Sequence, residues 1–341
     1  MKLKLAVALF AALDIACASP MALARDVPEK PELHIAAAST GITYLPMLVA
    51  KQRGYFKDEG LDVTIAAFSG GSKTLEALLG GSSDMVAGAY SNTITMATKG
   101  QHLVVVAAQV ICPGWIFGVS QKHGADVKSP KDLKGMRIGV SAPGSSTHMA
   151  VNYILHKAGL QPSDVSIIGV GQAAGAVAAM QAGQIDALIV NDPSATILTK
   201  DGSMRPLENM RTADGNVKVF GSDYPESSVF ATKDFIDKNP KTVQAVANAI
   251  VRAEKWIAKA TPQQVAENVP PQYLGDNKTL YAEAFTNSRR CIAQNGEITP
   301  KGAETVHQVL AAFDPAVAAA KIDLATTYDN RFVRKAAEVQ P

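Results

Sequence analysis

A surplus of charge of one sign is missing from this sequence. Its 33 Lys and Arg stand against 31 Asp and Glu, a formal net charge of +2. A nucleic-acid surface needs a basic stripe to displace counterions along phosphates, so that class is excluded. No apolar run reaches the roughly 20 residues of a membrane-spanning helix; Leu103 to Cys112 is one that falls short. The six histidines (His34, His102, His123, His148, His156 and His307) are scattered, with no H-E-x-x-H or paired metal spacing. "GVSAPG" resembles a nucleophile elbow, but its second glycine comes one residue late. The adjacent carboxylates Asp58 and Glu59 read as a solvated helix end. No catalytic constellation emerges, and the expectation is a protein that is not an enzyme and uses no cofactor and no metal.

What the chain does have begins at its N-terminus. Lys2 and Lys4, the apolar Leu5 to Leu13, and Ala22-Leu23-Ala24 before Arg25 have the layout of a secretory signal peptide over residues 1–24. Asp14, three residues before Cys17, argues against a lipoprotein signal. The expectation is cleavage near Ala24-Arg25 and a soluble periplasmic protein. Cleavage removes Lys2, Lys4 and Asp14 and leaves a net charge of +1. The remaining length suits two domains. Two cysteines survive, Cys112 and Cys291; in an oxidising compartment they fit either a disulfide or two separately buried thiols.

Strands and helices alternate along the mature chain. Leu33 to Ala38, "LDVTIAAF" and "DMVAGAY" read as strands, with a helix from about Tyr44 to Arg53 closed by Gly54. The order recurs in "MRIGVS", "DVSIIGV" and "DALIVND". Asp62–Asp84 aligns with Asp164–Asp186 at a constant offset of 102, with six identities including both terminal aspartates. This repeat bears on "GVGQAAG" (Gly169 to Gly175), which looks like a dinucleotide fingerprint. Its spacing is one residue too long, and its first copy, "AFSGGSK", cannot serve as one. A nucleotide is therefore not expected. What both copies keep is a turn of backbone N–H groups and hydroxyls at a strand's carboxyl end, where α/β folds bind ligands.

Several stretches resemble a known family. "YLPMLVAKQRGYFKDEGLDV", "FSGGSKTLEALLGGSSDM", "SPKDLKGMRIGVSAPGSSTHMAVNYILHKAGL", "AAMQAGQIDA" and "VFATKDFIDKNPKTVQAVANAIVRAEKWI" are similar to periplasmic binding proteins of the nitrate/sulfonate/taurine group. That group also includes binding proteins for thiamine-pyrimidine precursors. The resemblance runs from about Leu33 to "IDLATTYDNRFVRKA". It implies an α/β fold of two lobes, a type II Venus-flytrap with two hinge crossovers, that closes on a solute. It also implies an ABC permease and ATPase complex as partner. Lobe one is expected over residues 31–112 and 232–341, lobe two over 113–231, with "VVVAAQVICPGWIFGVSQK" and "VKVFGSDYPESSVFATKDF" as the crossovers. Asn239-Pro240 should start a helix with the apolar stripe Val243, Val246, Ala247, Ile250, Val251 and Ile257.

Four loops should then face the cleft. Thr40, Ser69, Gly70 and Gly71 come from lobe one; Ser141, Gly144, Ser145, Ser146, Thr147 and Gln172 come from lobe two. Such loops offer neutral donors and the positive ends of helices, and each serine could equally be a helix cap. Tyr44, Tyr90 and Trp115 could stack on an organic body, whereas Phe68 reads as packing. Asp192 would suit a ligand with donors if it faced the cleft, and would cap a helix before Pro193 if it did not. The expected solute is small, organic and anionic or zwitterionic, such as a sulfonate or carboxylate, bound by a monomer. A sensory receptor for a membrane kinase and a pyrimidine-synthase-like enzyme remain the alternatives.

Overall fold

The computed structural model describes residues 27–274 and 277–339. The expected signal peptide and Cys17 lie outside these residues. In chain order the first strands are β1 (Glu32–Ala37), β2 (Asp62–Ala67), β3 (Met85–Ala89), β4 (Leu103–Ala108) and β5 (Trp115–Ser120). They are followed by β6 (Arg137–Val140), β7 (Ser166–Gly169), β8 (Ala187–Asn191), β9 (Met204–Asn209) and β10 (Ser227–Thr232). Two mixed sheets result, ordered β2-β1-β3-β10-β4 and β7-β6-β8-β5-β9. The first three strands of each sheet are parallel, and the fourth in the order runs antiparallel to both of its neighbours. The fold is the two-lobe α/β architecture expected.

Helices cover both faces, so β3 and β4 are buried at every position, as strands covered on both sides in an α/β lobe are. One apolar cluster packs β1 and β3 against the helix Pro240–Lys259, whose whole predicted stripe is buried. Its N-terminus is satisfied differently from expectation. Asn239 turns its amide to the Phe235 carbonyl, while Glu29 accepts the N–H groups of Lys241 and Thr242. A second cluster is shared between the sheets, running from Val86 and Phe230 to Phe117 and Val140 through Trp115 and Tyr224.

The repeat read from the sequence has a structural reason. Asp84 donates its backbone N–H to the His34 carbonyl and accepts the His34 N–H on its carboxylate, both at 2.9 Å. Asp186 does the same with Arg137, at 2.8 and 2.9 Å. Each aspartate thus pins the start of the second strand in the sheet order (β1, β6) to the start of the third (β3, β8). The Arg137 guanidinium beside Asp186 also holds that carboxyl well below the usual carboxylate range.

The return crossover lies earlier than expected. A boundary at 231/232 would leave Ser227–Ala231 in the second lobe, but these residues pair with β3 and β4 in the first sheet. Ser227–Ala231 are buried at every position, as a strand at the centre of a sheet covered on both faces is. The outgoing segment runs between Ala108, the end of β4, and Trp115, the start of β5.

Cys112, on that outgoing crossover, is disulfide-bonded to Cys291, 179 residues away. Closing so long a loop restricts the unfolded chain strongly, of order 3–5 kcal/mol in the chain-entropy treatment. The double variant Cys112→Ser/Cys291→Ser of residues 25–341 should lose about that much stability in urea unfolding. A thiol reagent should find no reactive cysteine in the unreduced, unfolded protein; a free thiol there would contradict the pairing.

Candidate functional site

A cavity lies between the sheets at the carboxyl ends of their parallel strands, the position the α/β rule assigns to ligands. Ala38 follows β1, Tyr44 ends a short turn after it, and Gly71 opens the helix Gly71–Leu79. From the opposite side come Ser141 after β6, Ser146 and Thr147 at the start of the helix Ser146–Lys157, Gln172 beyond β7, and Asn191 at the end of β8. Trp115, the first residue of β5, and Glu226, just before β10, complete the lining from the two crossovers. The free space is small, about 260 Å³ in all. The lobes are therefore nearly shut on each other.

Direct contacts hold them so. The Ile42 N–H donates to the Asp192 carbonyl at 3.0 Å, and Asn191 Nδ2 donates to Thr43 Oγ1 at 3.1 Å. The Ser72 N–H reaches Ser145 Oγ at 3.3 Å. Gly41 and Gly70 permit this approach. A methyl group on Gly41 would sit 2.7 Å from the Asn191 amide, and one on Gly70 would sit 2.7 Å from Ser145 Oγ.

Glu226 dominates the electrostatics. It is 3% exposed, and Ser146 Oγ donates to its Oε1 at 2.9 Å. Its Oε2 has no partner among the described residues. Burial raises its pKa to about 7, the Ser146 bond pulling the other way. Burial first, and the Glu226 charge second, push the Tyr44 and Tyr224 phenols up as well. Tyr224 is buried, and its hydroxyl has no partner among the described residues.

Half of the candidate residues meet at this cavity: Tyr44, Gly71, Trp115, Ser141, Ser146, Thr147 and Gln172. Gly70 and Ser145 touch each other across the lobes instead. Thr40 lines a separate, wider groove with Ala173, Val177, Ile197 and Tyr273. Ser69 and Gly144 are exposed and outside the cavity lining.

Two expectations require correction. Tyr90 is fully buried in the apolar cluster, and its hydroxyl bonds Thr327 Oγ1 at 2.6 Å; the C-terminal segment covers it. Asp192 is turned away from the cavity. It accepts the Thr196 N–H and hydroxyl, so the capping role is the one it plays. It also accepts the Ser288 hydroxyl at 2.7 Å and pairs with Arg211 at 3.2 Å. Neighbouring residues at a strand end point to opposite sides, and Asn191 is the one that faces the ligand space.

Ala38, Asn191 and Glu226 were not anticipated. Glu226 had a legible signal: it is the one carboxylate in the "YPESSVF" crossover, among residues that otherwise read as strand.

Residues 42–265 match the family described as NMT1/THI5 like. The chain belongs to that family. A solved protein of Bordetella bronchiseptica RB50 is 44% identical, covering 92% of this chain and 99% of its own, with a TM-score of 0.89. The periplasmic nitrate-binding protein NrtA of Synechocystis PCC 6803 shares the fold at 17% identity, with TM-score 0.74 and coverage of 92% and 90%. The alkanesulfonate-binding protein SsuA of Xanthomonas axonopodis pv. citri, bound to MOPS, does so at 21%, with TM-score 0.68 and coverage of 90% and 98%. These two likenesses show the fold.

The structural part played by Asp192 can be measured. Arg211→Met leaves a buried carboxylate without its charge partner, which should cost about 3–5 kcal/mol in urea unfolding. A change under about 1 kcal/mol would mean that Asp192 is not held by this pair.

Proposed function

We propose that this protein is the periplasmic solute-binding component of an ABC importer. In this reading the two lobes turn about the crossovers at 109–115 and 221–227, trap one small organic solute in the cavity, and present the closed form to a permease and ATPase complex. The first lobe comprises the first sheet with the C-terminal helices, the second lobe the second sheet. The protein acts as a monomer and binds without chemical conversion.

The observation that carries the reading is the makeup of the cavity wall. Both lobes and both crossovers contribute to it, through Tyr44 and Gly71, Ser146 and Asn191, Trp115 and Glu226. A solute touching all four segments binds only the closed arrangement, so its binding energy is coupled to closure. Tyr44 and Trp115 supply aromatic surface for an organic body, which a bare inorganic ion would not use.

A thermal-shift screen of residues 25–341 against sulfonates, carboxylates, amines, amides, N-heterocycles and nitrate tests this. A ligand at a hundredfold excess over Kd stabilises the folded state by about 2.7 kcal/mol. One solute class should shift the melting curve, and Trp115→Ala should weaken its binding at least tenfold. Unchanged binding in Trp115→Ala would place the site elsewhere, and conversion of the bound compound to a product would favour an enzyme.

A further inference from the structure

We infer that the solute presents hydrogen-bond donors, as an amine, amidine, amide or ring N–H, to the buried carboxylate of Glu226, and is not an oxyanion. This rests on the solute-binding reading above and narrows its solute class, against the sulfonate or carboxylate expected from the neutral loops.

The first ground is charge. No Lys, Arg or His lines the cavity, and its ionisable members are Glu226 and the Tyr44 phenol. The helices Ser146–Lys157 and Gly71–Leu79 start there, each N-terminus worth about half a positive charge. A carboxylate balances the two, leaving no net positive charge for an anion. An entering oxyanion would face Glu226 in a space too small for the bulk water that screens like charges.

The second ground is the count of uncommitted groups. Glu226 Oε2 and Asn191 Oδ1 are buried acceptors without partners among the described residues. Among the residues that line the cavity most side-chain donors are spent, the Tyr224 hydroxyl near Glu226 and Asn92 Nδ2 beside Gly71 being buried donors left over just outside it. Ser146 donates to Glu226, and the Gln172 amide N–H groups go to the Gly171 and Ile189 carbonyls. Asn191 Nδ2 goes to Thr43, and Ser141 and Thr147 share a hydroxyl bond at 2.8 Å. Acceptors in want of donors define the complement, which is a donor-bearing solute.

The rival arrangement is a protonated Glu226 donating to an oxyanion. The two differ in their pH dependence. The groups facing Glu226 are the Ser146 hydroxyl and the Tyr44 and Tyr224 phenols, whose titration burial pushes further above neutrality. The nearest histidine on the adjoining helix, His148, accepts the Gly144 N–H on Nδ1 and lies outside the lining. Glu226 is thus the group that titrates in the cavity between pH 6 and 8. A cationic donor needs the carboxylate, so its affinity should rise about tenfold from pH 6 to pH 8; an oxyanion held by the acid form should show the reverse.

The experiment is calorimetric titration of residues 25–341 at both pH values with two matched sets. Acetamidine, benzamidine, acetamide and benzamide form the donor set; acetate, benzoate, benzenesulfonate, methanesulfonate and nitrate form the anion set. The expected result is at least tenfold tighter binding of donors than of their anionic isosteres at pH 8. Amidine binding should strengthen with pH, and Glu226→Gln should remove both that slope and the preference. Should Glu226→Gln not fold, the ranking and the slope of the unaltered protein decide. Tighter anion binding, above all binding that strengthens at pH 6, overturns this inference and leaves the solute-binding reading standing. No binding by either set overturns both.

Discussion

Each sheet is completed by a strand that arrives from the other half of the chain. β10 lies between β3 and β4, and β5 lies between β8 and β9, so neither sheet closes its centre without a crossover. The two crossovers must therefore run past each other beneath the cleft, and they are joined there. Tyr224 donates its N–H to the Ile111 carbonyl, and the Gln109 and Val110 N–H groups both go to the Ser227 carbonyl. The Cys112–Cys291 bond ties the same place to the C-terminal helices. Trp115 and Glu226 owe their positions at the base of the cavity to this crossing.

The same constraint explains why a carboxylate is tolerated there. A lone buried acid would be driven neutral by desolvation. Glu226 has one oxygen held by Ser146 and two helix N-termini nearby, which offset part of that cost and leave its pKa near 7. Glu254, buried in the helix Pro240–Lys259, is likewise raised well above its ordinary value by burial, a backbone hydrogen bond from Gly296 pulling the other way.

Polar groups around the cleft divide between those that hold the protein together and those left to meet a solute. Gln172 braces β8 through the Ile189 carbonyl and the Asn191 N–H, and Asp192 anchors Arg211, Thr196 and Ser288. Ser145 and Thr43 bridge the lobes. A loop rich in serine and glycine thus builds the closed contact as much as it builds a binding surface, which is why the candidate residues separated into two groups.

The alternating pattern, the internal repeat and the buried stripe of Pro240–Lys259 were legible because periodicity and turn chemistry are local properties of a sequence. So were the carboxyl-end loops, since a strand followed by a Gly/Ser turn and a helix fixes which end faces a ligand. The ends of β8 and β10 were not. Whether Asn191 or Asp192 faces the cavity depends on strand register, and whether Ser227–Ala231 belongs to one sheet or the other depends on a pairing more than a hundred residues away along the chain. The role of Glu226 was decided in the same way. Its charge was plain in the sequence, but its burial, its Ser146 partner and its raised pKa exist only because two distant crossovers meet, and long-range contacts of that kind leave no local trace in the order of residues.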